Sequence, residues 1–395
     1  MRRCVLIKFG EIVLKGRNRG MFYSQLRRNV ARALRDFGPL ELRQRGGALA
    51  AIGSQERSDE LVERARDVLG VSLLHPALLL ERTPAAACAA AIELLRGRPG
   101  ATFAVRARRR DKTFELTSQG LAALVGRAVQ DGLGLGVNLA EPDLTVYVEV
   151  DKREIFAYSE RIPGRGGLPV GVSGRAMVLI SGGIDSPVAA YRAMKRGLRC
   201  DFVHFSGQPF TGPESIYKSY ALVARLDRFQ GGSRLFVVPI GHAQRGIAAA
   251  GAGKLQVLAQ RRLMVRVAAA LARREHAEAL VTGDSLGQVS SQTLGNLAVV
   301  EQAAGLPLLR PLLAWDKAEI VREAEEIGTY EIATLPAEDC CRLFSSPVAE
   351  TRAAPHRLAR LEDALEVEAT VEALAAAAEL VRPRLERAPS GALVA

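Results

Sequence analysis

Residues 176–189 read AMVLISGGIDSPVA, and their pattern predicts a strand, a glycine turn and a helix in immediate succession. The five apolar residues before Ser181 have the unbroken hydrophobicity of a buried parallel strand. Two adjacent glycines, Gly182 and Gly183, let the backbone approach a phosphate group closely. Pro187 suits the first turn of the following helix, whose free N–H groups and positive dipole end favour an anion. The stretch therefore predicts a phosphate-binding loop between a strand and a helix.

The six central residues of this stretch, SGGIDS, resemble the pyrophosphate loop of ATP pyrophosphatases, which make adenylated intermediates. No lysine closes the loop, which excludes the G-x-x-x-x-G-K-[ST] phosphate loop. An ordinary glycine turn is the alternative, but such a turn would not need Asp185 beside two serines. The resemblance implies an ATP site formed by Ser181, Gly182, Gly183, Asp185 and Ser186.

Beyond this loop, strands alternate with helices, which predicts an α/β fold with a doubly wound parallel sheet. The expected strands are 176–180, 199–205, 235–240 and 279–282, and the expected helices are 185–196, 215–229, 255–274 and 317–327. Ligands of such sheets bind at the carboxyl ends of the strands, where the SGGIDS loop lies. An Ala-, Glu- and Leu-rich segment, 349–384, is expected to be helical and to pack on the outside.

Residues 1–165 mix strand and helix patterns in a way that predicts an α+β region. The expected strands are 3–9, 41–52, 102–110, 144–150 and 155–160, and the expected helices are 19–37, 58–69, 84–96 and 118–130. Residues 164–171, GRGGLPVG, are the clearest linker in the chain.

Most of the net charge of +11 belongs to these first 165 residues, which hold nine more basic than acidic side chains. A concentrated basic excess is typical of a polyanion-binding module, although an arginine-rich solvated surface is the alternative. Because aromatic residues make up only 5% of the chain, recognition of the shape and backbone of folded RNA is favoured over base stacking. The basic clusters expected to contact RNA are Lys15, Arg17 and Arg19, and Arg108, Arg109 and Arg110.

Composition sets the general class of protein. A chain of 395 residues with 48% apolar and 25% charged residues is typical of a soluble globular protein of two or three domains. No run of eighteen apolar residues and no signal-peptide pattern is present, so we expect no membrane segment. Five cysteines in so long a chain do not form a disulfide framework, which favours the reducing cytoplasm.

Several further candidates lie at expected strand ends. His204 and Phe205 end a strand where an adenine or ribose could bind, although a lone histidine is more often a hydrogen-bonded core residue. Residues 282–293, TGDSLGQVSSQT, follow a strand and supply many neutral hydrogen-bonding groups, among them Gly283 and Gln292. A surface loop would hardly need so many, so this segment is a stronger candidate than the histidine.

Two basic residues on helices are weaker candidates. Arg261 could face a phosphate, although an exposed helical arginine is the simpler interpretation. Lys317 opens a helix that Asp316 is expected to cap, and its charge could stabilise a departing pyrophosphate.

Two adjacent cysteines, Cys340 and Cys341, lie in a polar segment beside Arg342. Neighbouring cysteines do not form a relaxed disulfide with each other, and their spacing is not that of a zinc site. We therefore interpret one of them as a reactive nucleophile or sulfur carrier. The other three, Cys4, Cys88 and Cys200, lie in apolar strand or helix patterns and are expected to be inert.

Together, four separated motifs resemble the bacterial tRNA 4-thiouridine synthetases, the ThiI family of tRNA sulfurtransferases. The motifs are GEIVLKGRNR (10–19), LISGGIDSPVA (179–189), TGDSLGQVSSQ (282–292) and EDCC (338–341). The resemblance spans about residues 3 to 350. It implies a ferredoxin-like domain (1–60), a THUMP RNA-binding domain (61–165) and a pyrophosphate-loop domain with a helical tail (172–395).

The family's activity implies specific roles for residues of this chain. ATP contacts fall on Leu179, Ile180, His204, Phe205, Arg261, Gly283 and Gln292. Positions required for activity match Asp185 and Lys317, and the persulfide-carrying cysteine matches Cys340 or Cys341. Adenylation of uridine 8 would precede sulfur transfer, with Asp185 positioning Mg²⁺ or the phosphates, because Mg²⁺ commonly binds one carboxylate plus phosphate oxygens. No metal site built from protein ligands alone is expected.

One departure from the family concerns the source of sulfur. Some members carry a C-terminal rhodanese domain, and this sequence shows none, so a cysteine desulfurase is expected to supply sulfur directly or through a carrier protein. The family's second role, sulfur supply for the thiamine thiazole, is left open by this departure, and a homodimer is one alternative for the assembly.

Three other functions are the alternatives. A tRNA 2-thiouridylase or an amide-forming ligase shares the SGGIDS loop, but the basic region disfavours the first and the cysteine pair disfavours the second. A non-catalytic RNA-binding protein would not need an intact loop.

Overall fold

A computed structural model describes residues 1–53, 57–337, 343–345, 350–384, 386–387 and 393–394. The chain divides into two units, 1–167 and 168–395. The boundary lies within the glycine-rich stretch 164–171. No helix in the described ranges is long and apolar enough to cross a membrane.

The first unit is built on one large sheet with helices packed against it. Its strands are β1 (Arg2–Phe9), β2 (Glu41–Arg45), β3 (Ala48–Ile52), β4 (Val71–Leu80), β5 (Thr102–Arg109), β6 (Gly136–Val137), β7 (Leu144–Val150), β8 (Ile155–Tyr158) and β9 (Ile162–Pro163). Its helices are α1 (Arg19–Ala33), α2 (Ser58–Arg66), α3 (Pro84–Leu95) and α4 (Ser118–Leu133). Short 3-10 helices precede and follow α1.

The strands of this sheet run in the order β2-β3-β1-β4-β8-β7-β5-β6, and β9 also pairs with β4. Strand β4 pairs with β1 on one side and with β8 on the other, which makes the sheet continuous. Strand β4 is absent from the predicted elements, because its pattern VSLLHPALLL lacks clear alternation. Pairing on both edges buries its backbone and decides its conformation.

A buried polar cluster connects three strands of this sheet. The Lys8 ammonium on β1 donates to Glu149 on β7 at 2.8 Å, and the Tyr158 hydroxyl on β8 donates to the same carboxylate oxygen at 2.8 Å. Glu149 is only 5% exposed. These hydrogen bonds join side chains of β1, β7 and β8 inside the sheet.

The second unit is the doubly wound domain. Its strands are β10 (Arg175–Leu179), β11 (Arg199–Ser206), β12 (Leu235–Pro239), β13 (Ala279–Val281), β14 (Leu308–Leu309) and β15 (Glu379–Val381), with a separate pair β16 (Glu386–Arg387) and β17 (Leu393–Val394). Its helices are α5 (Asp185–Lys195), α6 (Glu214–Gln230), α7 (Gly241–Ala249), α8 (Gln256–Arg274), α9 (Leu294–Glu301), α10 (Lys317–Glu326), α11 (Tyr330–Thr334), α12 (Pro355–Ala364) and α13 (Val367–Ala376).

The main sheet of this unit has the order β14-β13-β10-β11-β12-β15. All neighbours are parallel except β15, which runs antiparallel to β12. The parallel core confirms the predicted fold class. The expectation of a wholly helical segment 349–384 is wrong at its end, because residues 379–381 add an edge strand to β12 instead of extending α13.

Helix α8 is the central helix of this unit. Thirteen of its residues are buried, and the ten apolar ones among them pack with the apolar side chains of β11 and β12 in one core. Helix α8 and these two strands therefore share one hydrophobic core.

Candidate active site

The glycine loop joins β10 to α5 in the structure, as the sequence predicts. The Ser181 N–H donates to Ser186 Oγ at 2.9 Å, and the Gly183 N–H donates to Ser181 Oγ at 3.3 Å. The two hydroxyl oxygens lie 3.1 Å apart. Because the serines fold the loop onto itself, helix α5 begins at Asp185, directly beside the glycines, which is the arrangement that binds anions.

Gly283 lies against this loop and has no room for a side chain. A Cβ at Gly283 would be 2.7 Å from the Ser186 nitrogen and 2.9 Å from the Asp185 carbonyl carbon. Both are backbone atoms, which cannot swing away as a side chain can. The end of β13 and the start of α5 are therefore in close contact because residue 283 is glycine.

Asp185 and Lys317 meet at the mouth of the loop. The Lys317 Nζ donates to Asp185 Oδ1 at 2.7 Å, and the Gln288 amide donates to Oδ2 at 3.3 Å. The Asp185 side chain is 24% exposed and the Lys317 side chain 48%, so a ligand can reach both. Asp316 and Glu319 form a capping box that fixes the start of α10 and so positions Lys317.

The residues predicted to contact ATP at the ends of β10 and β11 are adjacent in the sheet. Leu179 pairs with Val203 in parallel register, so Leu179, Ile180, His204 and Phe205 lie together at the carboxyl edge. The Phe205 side chain packs into the core with Phe236 and Val238.

The His204 side chain is buried and hydrogen-bonded. Its Nδ1 is 3.2 Å from the Ile180 carbonyl oxygen and 2.9 Å from Ser219 Oγ, and its Nε2 is 3.3 Å from Ser215 Oγ. Burial lowers the pKa of His204 to about 4, so the imidazole is neutral at physiological pH. Its side chain thus connects the end of β10 to α6.

Arg261 and Gln292 converge on a buried carboxylate that the sequence analysis did not single out. Asp284 is 4% exposed, and Arg261 donates to its Oδ1 at 2.5 Å. The Thr282 hydroxyl donates to Oδ2 at 2.8 Å, and the Gln292 amide donates to Oδ1 at 3.3 Å. Burial raises the pKa of Asp284. The charges of Arg261 and Arg310 and the hydrogen bond from Thr282 outweigh burial, so the pKa of Asp284 lies below its usual value.

This carboxylate gives the 282–293 segment its shape. Arg261 also donates to the Ser291 carbonyl at 3.2 Å, so both ends of the segment are connected to α8. Gln292 Oε1 is buried and has no hydrogen-bond partner in the described part of the chain, so it can accept from a ligand. The position of Asp284 directly after Gly283, at a strand end, was the available sequence signal.

The prediction for Cys340 and Cys341 falls outside the described residues. The described residues on either side lie near the loop and α8: the Leu335 carbonyl accepts from Lys218 Nζ at 2.5 Å, and the Leu343 carbonyl accepts from the Gln260 amide at 3.1 Å. Within the described ranges, no group of three or more metal-ligating side chains could hold a metal ion by itself.

In the first unit, the predicted basic residues divide into two kinds. Arg17, Arg19 and Arg108 are exposed. Arg109 donates to the backbone carbonyls of Lys112 and Phe114, and Arg110 donates to the carbonyl of Gly46 and to Glu149. Arg109 and Arg110 thus also hold neighbouring loops.

Lys15, the remaining basic residue, is half-buried. Its Nζ lies 5.3 Å from the centre of the Phe22 ring. A cation–π contact of this kind holds the side chain against α1.

Comparison with known proteins identifies related sequences along most of the chain. The family model of the thiamine biosynthesis protein ThiI matches residues 171–367, that of the ThiI ferredoxin-like domain matches 4–74, and that of the THUMP domain matches 86–160. The probable tRNA sulfurtransferase of Nocardia farcinica is 54% identical, over 93% of this chain and 91% of its own length. That of Thermus thermophilus is 44% identical, over 91% of this chain and 87% of its own.

A solved structure is similar throughout. The crystal structure of a 4-thiouridine synthetase–RNA complex with bound ATP has a TM-score of 0.90 and 30% identity, and covers 96% of this chain and 99% of its own. PH1313 from Pyrococcus horikoshii, with 22% identity and a TM-score of 0.64, shares the fold.

Proposed function

Because the chain belongs to the tRNA sulfurtransferase (ThiI) family, we propose that it uses ATP to convert uridine 8 of tRNA into 4-thiouridine. The observation that carries this proposal is the SGGIDS loop at the start of α5, with Asp185 and Lys317 paired at its mouth, 2.7 Å apart. The ATP pyrophosphatases, whose loop it resembles, make adenylated intermediates, and adenylation is the chemistry needed to activate a poorly reactive carbonyl oxygen.

ATP would lie across the carboxyl edge of the sheet. We assign its phosphates to Ser181, Gly182, Gly183, Asp185 and Ser186, at the helix N-terminus. The remaining contacts are assigned to Leu179, Ile180, His204, Phe205, Arg261, Gly283 and Gln292. The unpartnered Gln292 Oε1 supports this, since it can accept a hydrogen bond from an amino or hydroxyl group of the nucleoside.

The first step would be adenylation. Uridine O4 attacks the α-phosphorus, the bond from that phosphorus to the bridging oxygen breaks, and pyrophosphate leaves while the N3 proton is lost to solvent. Lys317 stabilises the charge that develops on the leaving group, because a positioned cation lowers the energy of such a transition state. Asp185 orients Lys317 and is the carboxylate that would bind Mg²⁺ together with phosphate oxygens. Mg²⁺, when bound, neutralises phosphate charge.

The second step would be sulfur transfer. The terminal sulfur of a persulfide on Cys340 or Cys341 attacks C4 and AMP leaves, which gives a mixed disulfide between the base and the protein. Another thiol then attacks the protein sulfur of that disulfide and releases 4-thiouridine, and a thiol reductant restores the cysteines. The contacts of Leu335 and Leu343 beside the loop and α8 support a role for this segment at the site.

The finer partners belong to this proposal as well. We assign tRNA binding to the first unit, with a ferredoxin-like domain over 1–60 and a THUMP domain over 61–165, through the exposed Arg17, Arg19 and Arg108 and the neighbouring Lys15, Arg109 and Arg110. A cysteine desulfurase would load the persulfide directly or through a carrier, in the cytoplasm, where thiols stay reduced. Light scattering after gel filtration tests a homodimer.

The experiment is a reconstituted reaction with the purified chain, a tRNA transcript, ATP, cysteine and a cysteine desulfurase. Mass spectrometry of the digested nucleosides measures 4-thiouridine. We expect product only when ATP is present, and loss of product in Asp185→Ala. At least one of Cys340→Ala and Cys341→Ala should also be inactive.

Cys88→Ala is the matched control. Cys88 is half-buried in α3, and burial raises the pKa of its thiol, so the control should retain full activity. Equal product without any triphosphate, or full activity of both single cysteine variants, would contradict the mechanism.

A further inference from the structure

Lys218, which the sequence analysis did not single out, lies across the glycine loop. It belongs to the second turn of α6, and its Cδ and Cε lie 3.1 Å and 3.5 Å from the place that a Cβ on Gly182 would occupy. The methylene chain therefore covers Gly182, and the ammonium group beyond Cε lies at the edge of the phosphate-binding loop. The lysine side chain thus packs directly against the backbone of the loop at Gly182.

The charge of Lys218 is balanced differently from that of the other cations at this edge. Lys317 is paired with Asp185 and Arg261 with Asp284, whereas Lys218 donates to a neutral acceptor, the Leu335 carbonyl, at 2.5 Å. No carboxylate in the described part of the chain lies within ion-pair distance of Lys218. Burial lowers the pKa of Lys218, which means that its surroundings disfavour the charged form.

An anion beside this ammonium would relieve that penalty. Hydrogen bonds between an ammonium group and a phosphate oxygen are stronger than those to a neutral carbonyl. A lysine has three N–H donors and the Leu335 carbonyl uses one of them, so two remain for a ligand.

We propose that Lys218 is a second phosphate-binding lysine, which contacts the β- and γ-phosphates of ATP and then the released pyrophosphate. This inference rests on the proposed function for the identity of the nucleotide. Lys317 and Lys218 approach the loop from different helices, α10 and α6. Lys218 would supply the net positive charge that the Asp185–Lys317 pair, being neutral overall, does not supply.

Equilibrium binding to the full-length chain tests this without tRNA or a sulfur donor. Isothermal titration calorimetry would measure the affinity for ATP, pyrophosphate and AMP in wild type, Lys218→Met and Lys218→Arg. Methionine keeps the length of the side chain over Gly182 and removes the charge. We expect Lys218→Met to weaken ATP and pyrophosphate binding on the order of 10-fold or more, with AMP unchanged, and Lys218→Arg to retain most of the affinity.

Lys254→Met is the matched control, because Lys254 is exposed in a 3-10 helix of the same unit and has no assigned role in ligand binding. It should bind all three ligands as wild type does. Equal weakening of ATP and AMP by Lys218→Met would mean a purely structural role, and unchanged ATP affinity would mean no role; either result overturns the proposal. A wild type that binds none of the three ligands overturns it too.

A different combination of results would contradict the proposed function and leave the proposal for Lys218 intact. In that case the wild type would bind ATP through Lys218 but yield no 4-thiouridine in the reconstituted reaction. Melting temperatures of both Lys218 variants within a few degrees of wild type would confirm that the binding data describe folded protein.

Discussion

Replacing Gly283 by alanine should displace the glycine loop and slow adenylation far more than it lowers ATP affinity. The new Cβ would lie 2.7 Å from the Ser186 nitrogen, whereas ordinary contacts begin at 3.4 Å, so the two backbones must separate by about 0.7 Å. Strand β13 cannot simply retreat, because Val281 pairs with Val178 of β10. The shift therefore reaches Asp185 and Ser186, which the mechanism uses.

The expected loss of rate in Gly283→Ala follows from how strongly group-transfer reactions depend on the positions of the reacting groups. A displacement approaching 1 Å costs about 100-fold in rate, and overpacking costs about 1–3 kcal/mol of stability. The assay is the initial rate of 4-thiouridine formation against ATP concentration, together with thermal unfolding. Gly283→Ala should show a kcat about 100-fold lower with a modest rise in KM.

Gly295→Ala is the control from the same region of the chain. Gly295 lies in the first turn of α9, is exposed and has no atom within 4 Å of the added methyl group. Alanine there should leave the rate unchanged and raise helix stability by up to about 1 kcal/mol. If Gly283→Ala reacts at the wild-type rate and melts at the wild-type temperature, the steric argument is refuted.

Three further predictions concern carboxylates. Asp185→Asn should lower kcat on the order of 100-fold while the melting temperature stays nearly constant, because its lysine pair is partly exposed; an unchanged steady-state rate would refute the assigned role. Asp284→Asn leaves the Arg261 guanidinium without its buried partner and should destabilise the second unit by about 3–5 kcal/mol in urea unfolding, and a loss below about 1 kcal/mol would show that the pair is dispensable. Burial raises the pKa of Glu149, but Lys8, Tyr158 and Arg110 together outweigh burial and hold this pKa at about 2, below the usual 4.5. The stability that ionised Glu149 adds to the fold is therefore complete above about pH 4.5 and is lost as the pH falls towards 2. In Glu149→Gln, the melting temperature should depend less on pH over that range. A curve of melting temperature against pH that runs parallel to the wild-type curve would contradict this.

The glycine loop and the strands around it were predictable because their signals are local. An apolar run, two glycines, a proline and an acidic residue stand next to each other in residues 176–189, and each acts over one or two turns of backbone. The same holds for Lys317, whose helix start is set by a capping box four residues long. Strand ends then meet at one edge because parallel strands place their carboxyl ends together.

Other parts of the site depend on residues that are distant in the chain. Lys218 and Gly182 are 36 positions apart, and Arg261 and Asp284 are 23 apart. The local sequence around these residues does not predict which residues they contact, since an arginine or lysine on a helix could contact many different side chains. Strands β4 and β15 were missed for a related reason: pairing with neighbouring strands, rather than their own alternation, makes them strands.

The amino-acid sequence alone predicted the fold class, the phosphate loop and the family motifs. Each of these depends on a short stretch of residues that combines a backbone preference with the side chains that the chemistry needs. Only the tertiary structure shows that Asp185 neutralises Lys317 and that Gly283 has no room for a side chain. It also shows that Lys218 has a backbone carbonyl as its partner. These properties arise only when the sheet brings separate strand ends within a few ångströms of each other, where burial and charge act across the fold.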